Sequence, residues 1–128
     1  MNLLLDTHTF LWWITDSPKL SGDMREQLFV RGVKVYWSAA STWEVGIKYA
    51  LGRLPLPCEP AQYLPRQLEI NGILPLAITD GHAYRAAALP PHHADPFDRM
   101  LVAQAQIEGL KLVSSDAQLR HYDVEVVG

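Results

Sequence analysis

The chain has 128 residues, one cysteine and a formal net charge of −3, with 48% hydrophobic and 20% charged residues. This size fits one globular domain and is too short for two ordinary ones, and the single cysteine excludes an intrachain disulfide framework and a multi-cysteine zinc site. The acidic balance argues against a broad basic nucleic-acid surface, although an enzyme can still reach nucleic acid through bound metal ions, which bring positive charge of their own.

The N-terminal segment is apolar, but it lacks the pattern of a signal peptide or a membrane span. It has no basic start, and Asp6 and His8 interrupt the apolar residues. The uninterrupted run at residues 10–14 is far shorter than the roughly 20 residues that a membrane helix needs. We therefore expect a cytoplasmic protein without a leader peptide.

Short apolar runs alternate with helical patterns along the chain. Runs that are too short for a helix predict buried strands at 2–5, 33–37, 73–78, 111–113 and 124–127. Alternation of strands with helices is typical of βαβ units. The sequence therefore predicts one α/β domain over residues 1–128, with a twisted and mostly parallel sheet.

The helical patterns begin at capping residues and end at glycine or proline. The starts are Ser21, the capping box from Ser41 to Glu44, Asp80 and the pair Asp95-Pro96, and the ends are Gly32, Gly52, Pro90 and Gly109. Trp43 and Ile47 lie four residues apart in the second pattern, and this spacing predicts that both belong to the core.

Acidic residues from distant parts of the sequence map to one edge of the predicted sheet. Asp6 ends the first strand, Glu44 lies in the first turn after the second strand, Asp95 and Asp98 open the helix before the fourth strand, and Asp116 follows that strand. Ligands bind at this edge in parallel sheets. Clustered carboxylates repel one another, and Mg²⁺ or Mn²⁺ offsets that repulsion. The pattern favours a site for such ions, two of which can activate a water and stabilise the leaving oxygen of a phosphodiester.

Each acid also has a plainer structural explanation when it is taken alone. Glu44 is the expected capping-box partner of Ser41, Asp95 is an expected N-cap, and Asp98 suits the helix dipole. Asp116 is placed to cap residues 117–122. Only the coincidence of these acids at one edge favours a metal site over local capping.

The adjacent residues His92 and His93, together with Asp95, offer an alternative transition-metal site. A histidine pair in a loop flanked by prolines is more typical of polar loop surface, and we interpret it so. No histidine has an evident serine or cysteine partner, so the sequence does not indicate a catalytic triad.

Four segments of the sequence, LLLDTH, SAASTWEVGIK, HADPFDRMLVAQA and LVSSD, resemble the acidic motifs of PIN-domain nucleases, and more narrowly those of VapC-type toxins. The resemblance runs in order from Asp6 to Asp116. It implies a five-stranded parallel sheet flanked by helices and Mg²⁺- or Mn²⁺-dependent cleavage of RNA. It also implies a cognate antitoxin that blocks the acidic pocket. We further expect a homodimer, either alone or in a heteromeric assembly with the antitoxin.

The resemblance also assigns residues position by position. Asp6 and Asp98 match the main metal-binding aspartates of the family, Glu44 matches its glutamate, and Asp116 matches its last, more loosely coordinating acid. Ser114 stands where the family commonly has a threonine or serine that orients an acid or a water. These matches make the four acids the expected catalytic and metal-binding residues.

Three further residues have two interpretations each. Asp95 is either an additional metal ligand or the cap of its helix. Lys48 and Arg99 lie within about one helical turn of the predicted site and are candidates for phosphate contact. Their alternative role is charge balance, because Lys48 also pairs with Glu44 at a spacing of four residues.

Trp12 and Trp13 are adjacent in the sequence, and a helix cannot bury both equally on one face. We expect one of them in the core and the other at a dimer contact or in a groove for an antitoxin segment.

Two rival functions remain open at the level of sequence. A phosphatase with Asp6 as covalent nucleophile is one, although that pattern needs a second aspartate at the position of His8 and gives Glu44 no role. A catalytically inactive PIN-like binding module is the other. An assay for metal-dependent cleavage of RNA distinguishes these two functions from the nuclease that the resemblance implies.

Overall fold

Five short strands form one sheet at the centre of the protein, and the computed structural model describes residues 1–128. The strands are β1 (Leu3–Leu5), β2 (Val35–Ser38), β3 (Leu74–Leu76), β4 (Lys111–Val113) and β5 (Val126–Val127). Their order is β3-β2-β1-β4-β5, and each neighbouring pair is parallel. The predicted α/β fold with a five-stranded sheet is confirmed, and the sheet is wholly parallel.

Six α-helices and one 3-10 helix connect the strands. They are α1 (Thr7–Ile14), α2 (Gly22–Leu28), α3 (Ala39–Ala50), α4 (Pro60–Ile70), α5 (Asp80–Ala88), α6 (Pro96–Glu108) and the 3-10 helix Ala117–His121. None of these helices combines the length and the apolar content that crossing a bilayer requires.

The hydrophobic core lies on both faces of the sheet. In β1, Leu3 and Leu5 belong to one cluster together with Phe10, whereas Leu4 belongs to a second cluster together with Leu101. Successive side chains of a strand point to opposite faces, so the central strand contributes to both clusters. Asp6, the residue that follows β1, therefore lies at the end of a strand that is buried on both faces of the sheet.

The strand order reverses at β1. From this strand the chain continues to β2 and β3 on one side, and later returns to β4 and β5 on the other. In open parallel sheets the ligand crevice lies at the carboxyl ends of the strands where this reversal occurs. Asp6 follows β1 and Ser114 follows β4, so both residues lie at this point.

Two helices begin earlier than predicted. Ser38, the last residue of β2, caps α3, because the strand passes into the helix without a loop. Ser41 therefore lies inside α3, Glu44 lies in its second turn, and the predicted capping box of these two residues is wrong. Helix α5 is capped by Thr79 and not by Asp80.

Helix α3 buries a different face from the predicted one. Val45 is fully buried, but Trp43 is 66% exposed and Ile47 is 37% exposed, so the prediction that these two lie in the core is wrong. The spacing of four residues places them on one face, and the packing of α3 turns that face outward. Trp12 and Trp13 are both partly buried against the first core cluster.

Candidate active site

An acidic cleft of about 160 Å³ opens at the carboxyl edge of the sheet. Its lining contains no hydrophobic residue and consists of Asp6, Thr7, His8, Glu44, Lys48, Asp95, Asp98, Ser115 and Asp116. All five acids singled out in the sequence thus line one cleft, although they come from four separate parts of the fold. The topology brings them together because the parallel strands end at the same edge.

Asp6 is held by hydrogen bonds at both carboxylate oxygens. Its Oδ1 accepts from the Thr9 N–H at 2.8 Å, which caps α1, and its Oδ2 accepts from the Ser114 hydroxyl at 2.5 Å. Ser114 follows β4, so this second bond joins the ends of the two strands at the switch point. The side chain of Asp6 therefore has one orientation, and the residue is only 8% exposed.

Glu44 projects from the second turn of α3 and is 9% exposed. Its Oε1 accepts a hydrogen bond from the Thr7 hydroxyl at 2.6 Å, and its Oε2 accepts from Lys48 Nζ at 2.9 Å. These partners replace Ser41, the partner expected from the sequence. Thr7 was not singled out in the sequence, and its position directly after Asp6 was the only signal.

Asp95 caps α6, as one of the two interpretations predicted. Its Oδ1 accepts from the N–H groups of Phe97 at 2.8 Å and of Asp98 at 3.3 Å, and Pro96 occupies the first helical position. Both bonds are to Oδ1, which leaves Oδ2 without a protein donor. The residue therefore caps the helix and also lines the cleft.

Asp98 lies in the first turn of α6 and lines the cleft. Burial raises the pKa of its carboxyl to about 7. The charges of Asp95, Asp6 and Glu44 add to the rise, whereas His93 lowers the pKa. Such mutual repulsion among half-buried carboxylates is what a bound cation would relieve.

Asp116 and Asp98 both contact the imidazole of His93. His93 Nε2 lies 2.9 Å from Asp116 Oδ2 and 2.9 Å from Asp98 Oδ2, and its side chain is 14% exposed. The interpretation of His93 as polar loop surface is therefore wrong, whereas His92 is exposed. Asp116 also caps the 3-10 helix, because its Oδ1 accepts from the Gln118 N–H at 2.9 Å.

Arg99 holds a loop and does not line the cleft. Its guanidinium donates to the carbonyl oxygens of Ala86, Leu89 and Pro90 at 2.9–3.0 Å, and to that of His93 at 3.3 Å. The interpretation of Arg99 as a phosphate contact is corrected by this geometry, because both terminal nitrogens are used within the protein. Lys48 does line the cleft, and its side chain is 39% exposed.

The donors of the cleft are mainly carboxylate oxygens, with the Lys48 ammonium and the imidazoles of His8 and His93 beside them. Carboxylate oxygens are the ligands that Mg²⁺ and Mn²⁺ prefer. The residues present therefore fit a hard divalent cation. A phosphate group would be repelled from this cleft unless such a cation neutralised part of its negative charge.

Solved structures share this fold over nearly their whole length. VapBC2 from Rickettsia felis, bound to a DNA fragment from its promoter, superposes with a TM-score of 0.72 at 12% identity, covering 98% of this chain and 97% of that one. A toxin–antitoxin complex from Klebsiella pneumoniae superposes with a TM-score of 0.68 at 16% identity, covering 99% and 97%.

Two curated proteins are similar to this chain in sequence. Ribonuclease VapC16 of Mycobacterium tuberculosis is 37% identical over 79 residues, which span 58% of this chain and 56% of that relative. Ribonuclease VapC22 of the same organism is 29% identical over 121 residues, spanning 94% of this chain and 91% of that relative. The family model of the PIN domain matches residues 3–125. With this match over nearly the whole chain, the protein belongs to the PIN domain family.

Proposed function

We propose that this protein is a divalent-metal-dependent endoribonuclease and the toxin of a toxin–antitoxin pair. The observation that carries the proposal is the convergence of five carboxylates in one cleft without hydrophobic lining. The two curated relatives are named as ribonucleases, and the solved structure from Klebsiella pneumoniae is a toxin–antitoxin complex, which supports the same function.

The residues that would hold the cation are Asp6, Glu44, Asp98 and Asp116, with Asp95 beside them at its free Oδ2. Bound there, Mg²⁺ or Mn²⁺ would lower the pKa of a water molecule and offset the charge of a phosphodiester. This assignment needs no side-chain nucleophile.

The chain's own contribution is to orient these acids before substrate arrives. The hydroxyl of Ser114 and the N–H of Thr9 fix Asp6, while Thr7 and Lys48 fix Glu44. Side chains that are already oriented lose little conformational freedom when the cation binds. The entropic cost of binding is therefore smaller and the affinity for the cation is higher. The partly exposed ammonium of Lys48 can in addition contact a phosphate of the RNA backbone.

The phosphatase alternative has less support from this geometry. The Asp6 carboxylate is oriented by hydrogen bonds to both oxygens and is 8% exposed, an environment that suits a fixed ligand. His8 lies where that mechanism needs a second aspartate, and Glu44 would have no role in it.

The proposal includes a protein partner. An antitoxin that covers the cleft with a basic side chain would compete with the cation for the carboxylates. The exposed ring of Trp43 packs edge to face on Phe97 at 5.5 Å and offers apolar surface for a contact in a homodimer or with the antitoxin. The site of action would be the cytoplasm, because the proposed RNA substrate is there.

The decisive experiment is cleavage of RNA by the purified protein with Mn²⁺, with Mg²⁺ and with EDTA. We expect cleavage with either ion, none with EDTA, and loss of cleavage in Asp98→Asn with circular dichroism unchanged. Asp123→Asn removes an exposed carboxylate outside the cleft and serves as the matched control. Expression of the unaltered chain alone should also arrest growth, and Asp98→Asn should relieve the arrest.

The same preparation distinguishes the rival functions. Release of phosphate from a small ester without cleavage of RNA would favour the phosphatase. Absence of both activities, together with harmless expression, would favour an inactive binding module.

A further inference from the structure

His93 joins two of the acids that the proposed function assigns to the metal site. Its Nε2 lies 2.9 Å from the Oδ2 atoms of both Asp98 and Asp116, which belong to α6 and to the segment after β4. Two anionic oxygens this close to a single atom repel each other, and a donor between them offsets the repulsion. The imidazole therefore connects two walls of the cleft.

The position of His93 is set by contacts other than its attraction to the carboxylates. The His93 N–H donates to the Tyr122 hydroxyl at 2.9 Å, and the His93 carbonyl accepts from Arg99 at 3.3 Å. The Tyr122 hydroxyl donates in turn to the Pro90 carbonyl at 2.9 Å, and Arg99 donates to the same carbonyl at 3.0 Å. The backbone of this loop is thus fixed on both sides of the histidine.

The hydrogen bonds of the ring indicate which nitrogen carries the proton. The Asp95 N–H donates to His93 Nδ1 at 3.4 Å, so Nδ1 is an acceptor. The ring proton then lies on Nε2, directed at the two carboxylates. An Nε2 that bound a cation directly would have to give up this proton.

We infer that His93 is a positioning residue of the metal site, whose Nε2–H holds the carboxylates of Asp98 and Asp116 in the arrangement that receives the cation. This inference rests on the proposed function, because it assumes that these acids bind a metal ion. Replacement of residues that orient metal ligands typically lowers metal affinity 10- to 100-fold. The histidine would act through the two acids and not through a bond to the ion.

The test is Mn²⁺ binding by the full chain, measured by calorimetry and by electron paramagnetic resonance, for the unaltered protein, His93→Ala, His93→Gln and His92→Ala. We expect His93→Ala to weaken binding of Mn²⁺ about 10- to 100-fold. His93→Gln should recover most of the affinity, because its amide N–H can donate from near the position of Nε2. The neighbouring exposed histidine is the matched control, and His92→Ala should bind as the unaltered protein does.

A measurement on the unaltered protein does not depend on whether a variant folds. Bound Mn²⁺ should show no nitrogen coupling from an imidazole, and observation of such coupling would overturn the inference in favour of direct ligation. Affinity in folded His93→Ala equal to that of the unaltered protein would also overturn it, and so would a failure of His93→Gln to recover affinity.

If the unaltered protein binds no Mn²⁺, the proposed function fails together with this inference. If it binds Mn²⁺ and His93→Ala binds equally well, only this inference fails.

Discussion

Replacement of Asp98 by asparagine should stabilise the metal-free protein at neutral and alkaline pH. Burial and the neighbouring charge of Asp95 raise the pKa of the Asp98 carboxyl from 3.8 to about 7. Between these two values the folded protein keeps a proton that the unfolded chain has lost. The free energy of unfolding therefore falls as the pH rises through this range.

The magnitude follows from the size of the pKa difference. The full rise corresponds to about 4 kcal/mol, since a pKa difference of one is worth about 1.4 kcal/mol. The side chain is 22% exposed, and water screens part of the repulsion, so we expect about 2 kcal/mol. For a chain of this size that raises the Tm by about 5 to 8 °C. Asparagine keeps the shape of the side chain and an oxygen that accepts from His93, so no cavity opposes the gain.

The assay is urea unfolding in EDTA at pH 5 and pH 8 for the unaltered protein, Asp98→Asn and Asp123→Asn. Between pH 5 and pH 8, Asp98→Asn should lose about 1 kcal/mol of the pH dependence that the other two proteins share, because part of the effect falls between pH 3.8 and pH 5. At pH 8, Mn²⁺ at a hundredfold excess over Kd should stabilise the unaltered protein by about 2.7 kcal/mol and should have little effect on Asp98→Asn. Equal pH dependence in all three proteins would refute the argument that the buried charge of Asp98 destabilises the metal-free fold.

Substitutions at three other residues test how the site is held. Asp95→Asn should keep both the fold and RNA cleavage. Asp95→Ala should lower the free energy of unfolding by about 1 kcal/mol in a urea melt, because only the alanine loses the helix cap. If Asp95→Asn were folded but inactive, this acid would instead be a metal ligand. Ser114→Ala should lower Mn²⁺ affinity about 10-fold in a calorimetric titration, because Asp6 Oδ2 loses its donor, and unchanged affinity would contradict the role of this hydroxyl. Arg99→Ala should lower the free energy of unfolding by about 2 to 4 kcal/mol, since several carbonyls lose a charged donor; a loss of RNA affinity without loss of stability would restore its role as a phosphate contact.

The local patterns of the sequence were enough to predict the architecture and the edge at which the site lies. The alternation of short apolar runs with helical patterns determines a parallel α/β sheet, because parallel strands need helical crossovers. Asp95-Pro96 and Gly109 mark the ends of α6 through backbone hydrogen bonds and dihedral angles that depend only on nearby residues. Since parallel strands end at one edge, the positions of the acids in the sequence already predicted one cleft.

Side-chain partners and the exposed face of α3 were decided by the tertiary structure. Trp43 and Glu44 are neighbours in the sequence, yet the tryptophan is exposed and the glutamate is buried against Thr7, because the packing of α3 fixes its rotation. His93 reaches Asp116 across 23 positions from a loop whose His93 carbonyl accepts a hydrogen bond from Arg99. Periodicity and capping signals describe the conformation of adjacent residues, whereas these contacts depend on how the folded elements are placed in space.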